Sequence, residues 1–373
     1  MLHSDAHPDE LATVRRYRDE LTRLFRDGLG YRLVVEPGLA RLYKTGLRAN
    51  GSRGQRRHND VLFTPRRYAL LALTLAAMTQ TRQQIMIDEL VAAVRSAAVV
   101  AQIDVDLDNI NDRRALHSAL VALVDLGVLS EREGDLEHWA ERRTVSLLDV
   151  HRDRLAVLVA APLGSCEQPE DVLAVAAVPS AAGGARVAIR RTLAEQTILS
   201  VEDLTEEQRG WWRRSRERER EWFRQTLGLD LELRDEGAVA IDPATDLTDI
   251  AFPAAGSARH FALLLLSALV EHVRDETDDL PGMTRASLAA STAQQAGDRV
   301  FSAWRRGLRK DHRQDPDAVY AEALAILTDM GLVRRVDGVV LVHAAAARYA
   351  PRPEFVTTAG PSGEHSLFGE EES

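Results

Sequence analysis

Three clusters of basic side chains have the types and spacing to do chemistry in this chain, and that chemistry is the neutralisation of phosphate. The first is Arg48, Arg53, Arg56, Arg57 and His58, in the Gly/Ser/Arg segment 45–59, which has little apolar side chain to pack. The second is Arg305, Arg306, Arg309, Lys310 and Arg313, opposed locally only by Asp311. A helix end carrying that charge suits a phosphate backbone. The third is Arg213, Arg214, Arg216, Arg218 and Arg220, interleaved with Glu217, Glu219 and Glu221, which reads as a salt-bridged, solvated helix face. Trp211 and Trp212 precede it. Adjacent residues on a helix cannot both face inward, so one of this pair is a candidate anchor for a partner protein.

Other chemistries lack their residues. The chain has no Gly-x4-Gly-Lys-Ser/Thr phosphate loop, no Gly-x-Ser-x-Gly elbow, and no His-Glu-x2-His spacing. Asp104-Val-Asp106-Leu-Asp108-Asn109 begins like a calcium loop. It lacks Gly at the sixth position, and Ala115 stands where a bidentate Glu is required, so capping of the next helix explains it better. Cys166 has no nearby His, and no nucleophile, cofactor or metal site is expected. The expectation is a protein that is not an enzyme.

Composition narrows the partners. The formal net charge is −10, and 45% of residues are apolar. A chain this acidic contacts nucleic acid only through local patches. All but two of its 47 basic residues are Arg, the exceptions being Lys44 and Lys310, which reflects genomic composition more than phosphate chemistry. A single cysteine fits a reducing cytoplasm. No basic start followed by an apolar core marks a secretory signal. The longest apolar run, Phe261 to Val270, is about half of what a bilayer requires.

The elements that must position these residues occur twice. The run from Leu120 to Leu129, containing Leu123, Asp125 and Gly127, returns from Leu324 to Val333 as Leu327, Asp329 and Gly331, an offset of 204; Glu133-Gly134 returns as Asp337-Gly338. Phe25-Arg26, Leu29-Gly30 and Leu33 return as Phe223-Arg224, Leu227-Gly228 and Leu231, an offset of 198. Tyr68 to Leu71 returns as Phe261 to Leu264, an offset of 193. Drifting offsets are what loop insertions produce. Each copy reads as helix, hairpin, apolar helix, second helix, recognition-type helix and wing.

The expected fold class is mainly α with small β-hairpins (α+β). It comprises two tandem winged-helix domains, each preceded by a helix-plus-hairpin element, from an internal duplication. Residues 1–62 hold the N-terminal helix (8–27), a hairpin turning at Pro37-Gly38, and the basic loop. Residues 63–160 form the first winged helix, with helices at Arg66–Met78, about 85–98 and about 112–126. Residues 161–250 form a helical linker with a hairpin, in which Thr205-Glu-Glu-Gln208 is a capping box. Residues 251–350 form the second winged helix, with Asp337-Gly338 as a two-residue hairpin turn. The Gly/Ser/Glu-rich tail 351–373 reads as disordered.

A sequence-reading third helix needs Arg, Asn or Gln on its open face. The first third helix offers Arg113, Arg114, His117 and Ser118 near its start. The second offers Asp315, Asp317, Tyr320 and Glu322, which suits protein docking better than a major groove.

The stretch Phe63-Thr-Pro-Arg-Arg-Tyr-Ala-Leu-Leu71, the run 191–207, and Glu236-Gly237 through Phe252-Pro253 resemble a bacterial family of uncharacterised domains, over residues 8–350. Its genes sit beside those of SMC-like ATPases. It corresponds to the KITE subunit (kleisin-interacting tandem winged-helix element) of Wadjet complexes, condensin-like plasmid-defence systems similar to MukBEF. The resemblance implies a non-enzymatic, cytoplasmic homodimer that binds the kleisin, reaches the SMC-like ATPase through it, and contacts double-stranded DNA non-specifically. ATP hydrolysis and DNA cleavage would belong to other subunits. The rival reading is a stand-alone tandem winged-helix transcription regulator, which would require a base-sequence preference.

Overall fold

The same helix stop closes two helices 204 residues apart. Gly127 and Gly331 take φ of +70° and +72°, the left-handed region where a Cβ is strained. Behind them the backbone N–H of Val128 reaches the carbonyl of Leu123 (2.9 Å), and that of Leu332 reaches Leu327 (3.0 Å). This six-to-one bond satisfies a carbonyl that the helix end would leave bare. Each glycine turns the chain directly into a strand.

The computed structural model describes residues 1–44, 54–58, 61–158, 166–168, 170–172, 183–248, 250–276 and 284–350. The chain divides into two compact units. The first comprises Met1–Gln196 and Leu204–Arg216; the second comprises Thr197–Asp203 and Glu217–Ser373.

In the first unit β1 (Leu2–His3) is followed by α1 (Pro8–Arg16), α2 (Arg18–Arg23) and a π-helical turn, Leu24–Leu29. Strands β2 (Arg32–Glu36) and β3 (Leu39–Tyr43) complete an antiparallel sheet in the order β1-β3-β2. Then come α3 (Pro65–Gln80), β4 (Gln84–Met86), α4 (Ile87–Val100), α5 (Ile110–Asp125), β5 (Leu129–Gly134), α6 (Trp139–Arg142), β6 (Ser146–Val150) and α7 (Arg152–Ala156), with a second antiparallel sheet in the order β4-β6-β5. Helix α8 (Gly184–Gln196) returns to the π turn, where the Arg191 guanidinium donates to the carbonyls of Leu29 and Gly30 and Tyr31 Oη donates to Glu195.

The second unit repeats the order. Strands β7 (Ile198–Ser200), β8 (Asp230–Leu233) and β9 (Gly237–Ile241) give a sheet ordered β7-β9-β8, and between β7 and β8 runs α9 (Glu206–Leu227), of which the part from Glu217 on belongs to this unit. Then follow α10 (Ser257–Glu276), β10 (Arg285–Ala289), α11 (Ala290–Trp304), α12 (Lys310–Gln314), α13 (Pro316–Asp329), β11 (Val333–Val336) and β12 (Val339–His343), with a sheet ordered β10-β12-β11. In all four sheets the last strand in sequence lies in the middle. The architecture is thus mixed helix and small three-stranded antiparallel sheets, an α+β arrangement.

Local signals explain the starts. Thr64 caps α3 by accepting from Arg67 N–H, with Pro65 in the first turn. Asn109 caps α5 and Asp315 caps α13. Thr205 and Gln208 exchange the two bonds of a capping box. Asp337 and Gly338 both take positive φ between the paired residues Val336 and Val339, the geometry of a tight hairpin turn.

Each unit has its own apolar core. Leu70, Met78, Ile87, Leu90, Val94, Leu120, Leu123 and Leu148 pack in the first; Phe261, Leu265, Leu269, Val319, Leu327 and Val342 pack in the second. Burying such side chains stabilises by about 1.5–3 kcal/mol each.

Several details depart from expectation. The single helix over 8–27 is broken at Tyr17 (φ −103°, ψ 21°) and ends in the π turn. The second helices are each preceded by a short strand, β4 and β10, which periodicity could not separate from the helices. Strands β5 and β6, expected as a simple hairpin, are not one: residues 135–145 between them carry α6, and the strand pairing slips between Glu131 and Glu133. The basic residues Arg48 and Arg53, the prolines 162, 169 and 179, and the tail 351–373 lie outside the described residues.

Candidate nucleic-acid interface

The cluster at 305–313 is built by a connection that faces two ways. Helix α11 ends at Trp304, and one 3-10 turn, Arg305–Gly307, leads into the five-residue α12. Leu308 and His312 point inward and are buried. The His312 ring sits against Ser257 Oγ (3.2 Å), Arg309 (2.8 Å) and Glu322 (3.0 Å). With those two anchors inside, Arg305, Arg306, Lys310, Arg313 and Gln314 turn outward. They line an open groove of about 410 Å³.

The cations differ in their engagement. Arg309 meets Asp311 (3.0 Å) and Glu322 (3.8 Å), so its charge is compensated. Arg305 donates to the carbonyl of Arg313 (3.3 Å) and lies over the Phe301 ring, which positions its guanidinium without neutralising it. Arg306, Lys310 and Arg313 are exposed and form no ion pair among the described residues. Uncompensated cations held around one groove raise the local concentration of anions, an effect that salt screens.

The remaining candidates are arranged differently. Arg113 donates to the carbonyls of Ala140 (2.9 Å) and Asp108 (2.6 Å), bracing the start of α5. Arg114 pairs with Glu141 (3.1 Å). His117 is half-buried, and Ser118 bonds back to the Arg114 carbonyl. Arg56 is exposed in an isolated bridge with Leu62, and Arg57 is half-buried with its backbone bonded to Val61. Thus Arg56, Arg57, Arg113 and Arg114 belong to the first unit, and the 305–313 cluster lines a cationic groove in the second. Trp212 is 2% exposed, whereas Trp211 is half-buried. Of that pair only Trp211 keeps surface to offer a partner.

The acidic third helix of the second unit is less open than its sequence implies. Asp315 is its cap, Glu322 is paired, and Tyr320 packs on Gly297 of α11, where a Cβ would lie 2.5 Å from the ring. Sequence reasoning missed two surface arginines in β11, Arg334 and Arg335. They are exposed, without an ion pair among the described residues. Their signal was the Val-Arg-Arg-Val run just before the Asp-Gly turn.

A Ser–His pair in the second unit invites a catalytic reading that its geometry refuses. His343 Nδ1 accepts from the Ala345 N–H (3.0 Å), so the ring proton sits on Nε2 and is donated to Ser200 Oγ (2.7 Å). Arg285 donates to the same oxygen (3.1 Å). A hydroxyl receiving two hydrogen bonds has no base positioned to take its proton. Burial, with the Arg285 charge beside it, pushes the His343 pKa down to about 4.

The calcium-like aspartates are likewise structural. Asp106 accepts from the Asp108 N–H, and Asn109 from that of Asn111. Arg143 and Arg95 hold the Asp108 carboxyl below its ordinary range. Among the described residues no group of three or more His, Cys, Asp or Glu is placed to hold a metal ion, and no helix is long and apolar enough to cross a membrane.

A family model described as a protein of unknown function, DUF2398, matches residues 1–352. The chain belongs to that family. No curated protein and no solved structure matches it. The match takes in both units, so the doubled order of elements and the 305–314 groove both lie within the DUF2398 region.

Proposed function

We propose that this chain is a non-enzymatic KITE-type scaffold subunit of a bacterial SMC–kleisin complex of the Wadjet type, which restricts plasmid DNA. In this reading β4-β6-β5 with α3–α5, and β10-β12-β11 with α10–α13, are tandem winged-helix domains from an internal duplication. The chain acts as a homodimer, binds the kleisin, reaches the SMC-like ATPase through it, and contacts duplex DNA by its phosphates along Arg305, Arg306, Lys310 and Arg313.

The observation that carries the reading is the doubled order of elements, with the same strand order in both copies of each sheet. A paired scaffold of this kind suits a protein that grips other subunits. The phosphate contact rests on the groove, which presents point charges on a connection and no side chains aligned along a helix to read base edges. A transcription regulator draws less support. The arginines at the start of α5 are held by carbonyls and by Glu141, and the start of α13 is acidic.

The test is affinity purification of the tagged chain from cells carrying its genomic neighbourhood, with native masses of what is recovered. The reading expects an SMC-like ATPase and a kleisin, with two copies of this chain. It also expects no enrichment of any sequence from a random pool of duplexes. Recovery of the chain alone, with one DNA sequence strongly selected, would replace the scaffold with a regulator.

A further inference from the structure

We infer that the same corner of the second unit recognises DNA with an unpaired base, which Trp304 stacks against while Arg305, Arg306, Lys310 and Arg313 hold the flanking phosphates. The inference rests on the DNA contact proposed above and specifies the form of DNA it prefers.

Trp304 is the last residue of α11 and immediately precedes Arg305. Its indole is 49% exposed, although a Trp buries more apolar surface than any other side chain could in its place. The exposure is not looseness. The His260 ring, projecting from α10, meets the indole edge to face with centroids 5.7 Å apart. Arg305 is steered in turn by Phe301, one helical turn before Trp304, and by the Arg313 carbonyl. An aromatic plane is therefore positioned directly beside Arg305 in the chain, the cation that opens the groove, with half of the plane left in water.

That combination discriminates between occupants. An apolar protein surface seated on Trp304 would have to desolvate or cover neighbouring cations that have no counter-charge, which is unfavourable. A nucleic-acid strand satisfies both features at once, because every base has a face to stack and every nucleotide carries a phosphate. A fully paired duplex supplies only the phosphates, since its base faces are occupied by their neighbours. Gln314, the one uncharged residue lining the groove, adds an amide that both donates and accepts, and so can meet the exposed edge of an unstacked base.

The test compares a fully paired duplex with one of equal length carrying a short unpaired loop. Both are titrated against the full chain by fluorescence anisotropy at several salt concentrations. The wild-type chain should prefer the looped DNA by about tenfold, the typical contribution of one base stacked on an aromatic ring. Trp304→Ala should abolish that preference while leaving duplex affinity and its salt dependence within about twofold. Trp304→Phe should retain most of the preference.

Equal affinity of the wild-type chain for the two DNAs would overturn the inference and leave the phosphate contact standing. So would a Trp304→Ala variant that keeps the preference, or one that loses duplex binding equally. Absence of salt-dependent binding to either DNA would overturn both the inference and the contact beneath it. Capture of a polyglutamate peptide, with neither DNA bound, would assign the corner to an acidic protein partner instead.

Discussion

The connection between second and third helix is acidic in one unit and basic in the other. In the first unit it runs from Ala101 to Asn109 and carries Asp104, Asp106 and Asp108. Two of these exposed carboxylates meet groups of the fold, Asp108 with Arg95 (3.3 Å) and Arg143 (2.8 Å) and Asp106 with a backbone N–H, and Asp112 just beyond pairs with Arg66. In the second unit it runs from Arg305 to Asp315, gains the short helix α12, and leaves Arg306, Lys310 and Arg313 facing solvent. The two connections lie between helices that follow in the same order in both units, apart from α6 in the first. Two units of similar order therefore carry opposite charge at corresponding connections, because exposed charge adds little to stability and is free to diverge.

The units agree where packing and hydrogen bonding are demanding. His151 and His343 both directly follow the middle strand of their second sheet or end it, and their N–H groups bond Val128 and Leu332 respectively. Each ring then reaches a serine through Nε2, Ser130 in one unit and Ser200 in the other. Gly127 sits under the His3 ring from β1, and Gly331 under Ile198 from β7. The same contact thus joins the small N-terminal sheet to the helices in each unit, with different residues.

The comparison can be broken in a graded way. Reversing Arg306, Lys310 and Arg313 together to Glu removes three phosphate contacts. DNA affinity should fall by about two to three orders of magnitude near 0.1 M salt, and the log–log salt slope should lose about three units. The circular-dichroism melting curve should be unchanged. An unaltered salt slope would remove the groove from DNA contact.

Stability should also respond to pH through the second unit. His343 has a folded pKa of about 4, below its ordinary 6.5. Its contribution is complete above pH 6.5 and is lost as pH falls from 6.5 to 4, by up to about 3 kcal/mol. Urea titrations at both pH values should show that loss, and His343→Gln should flatten it. An equally steep decline in the variant would place the acid sensitivity elsewhere.

Arg154→Ala tests the junction in the first unit. The buried guanidinium donates to the Gly127 carbonyl (2.9 Å) and pairs with Asp5 (2.6 Å), so its removal should cost about 2 kcal/mol. Proteolysis should then release the N-terminal sheet before the helices; simultaneous digestion would mean the junction is not a separate unit of stability. The smallest effects should be equal in both units. Asn109→Ala and Asp315→Ala each remove one helix cap and should each destabilise by about 1 kcal/mol.

Much of this was legible in the sequence for a physical reason. Helix stops need glycine at positive φ, caps need a side-chain oxygen, and tight hairpins need Asp-Gly, so Gly127, Gly331 and Asp337-Gly338 announced their elements, while Asn109 and Asn111 both offered a cap for α5 and the structure uses Asn109. The short strands β4 and β10 were hidden because three to five residues against a helix start carry no distinct period. The state of a cation was hidden too. Arg113, Arg309 and Lys310 look alike in a sequence, and only folding brings Ala140 and Asp108 to the first, Glu322 to the second, and no ion-pair partner among the described residues to the third. Trp304 passed unnoticed because an aromatic residue at the end of an amphipathic helix reads as core.

The central claim is that phosphate contact belongs to the second unit alone. A photo-reactive side chain placed at Gln314, and separately at Arg114, tests it directly when the full chain is irradiated with labelled duplex DNA. The account predicts a cross-link from position 314 that is suppressed by salt, and none above background from position 114. Cross-linking from 114, with or without cross-linking from 314, would contradict it and give the first unit a share of the DNA.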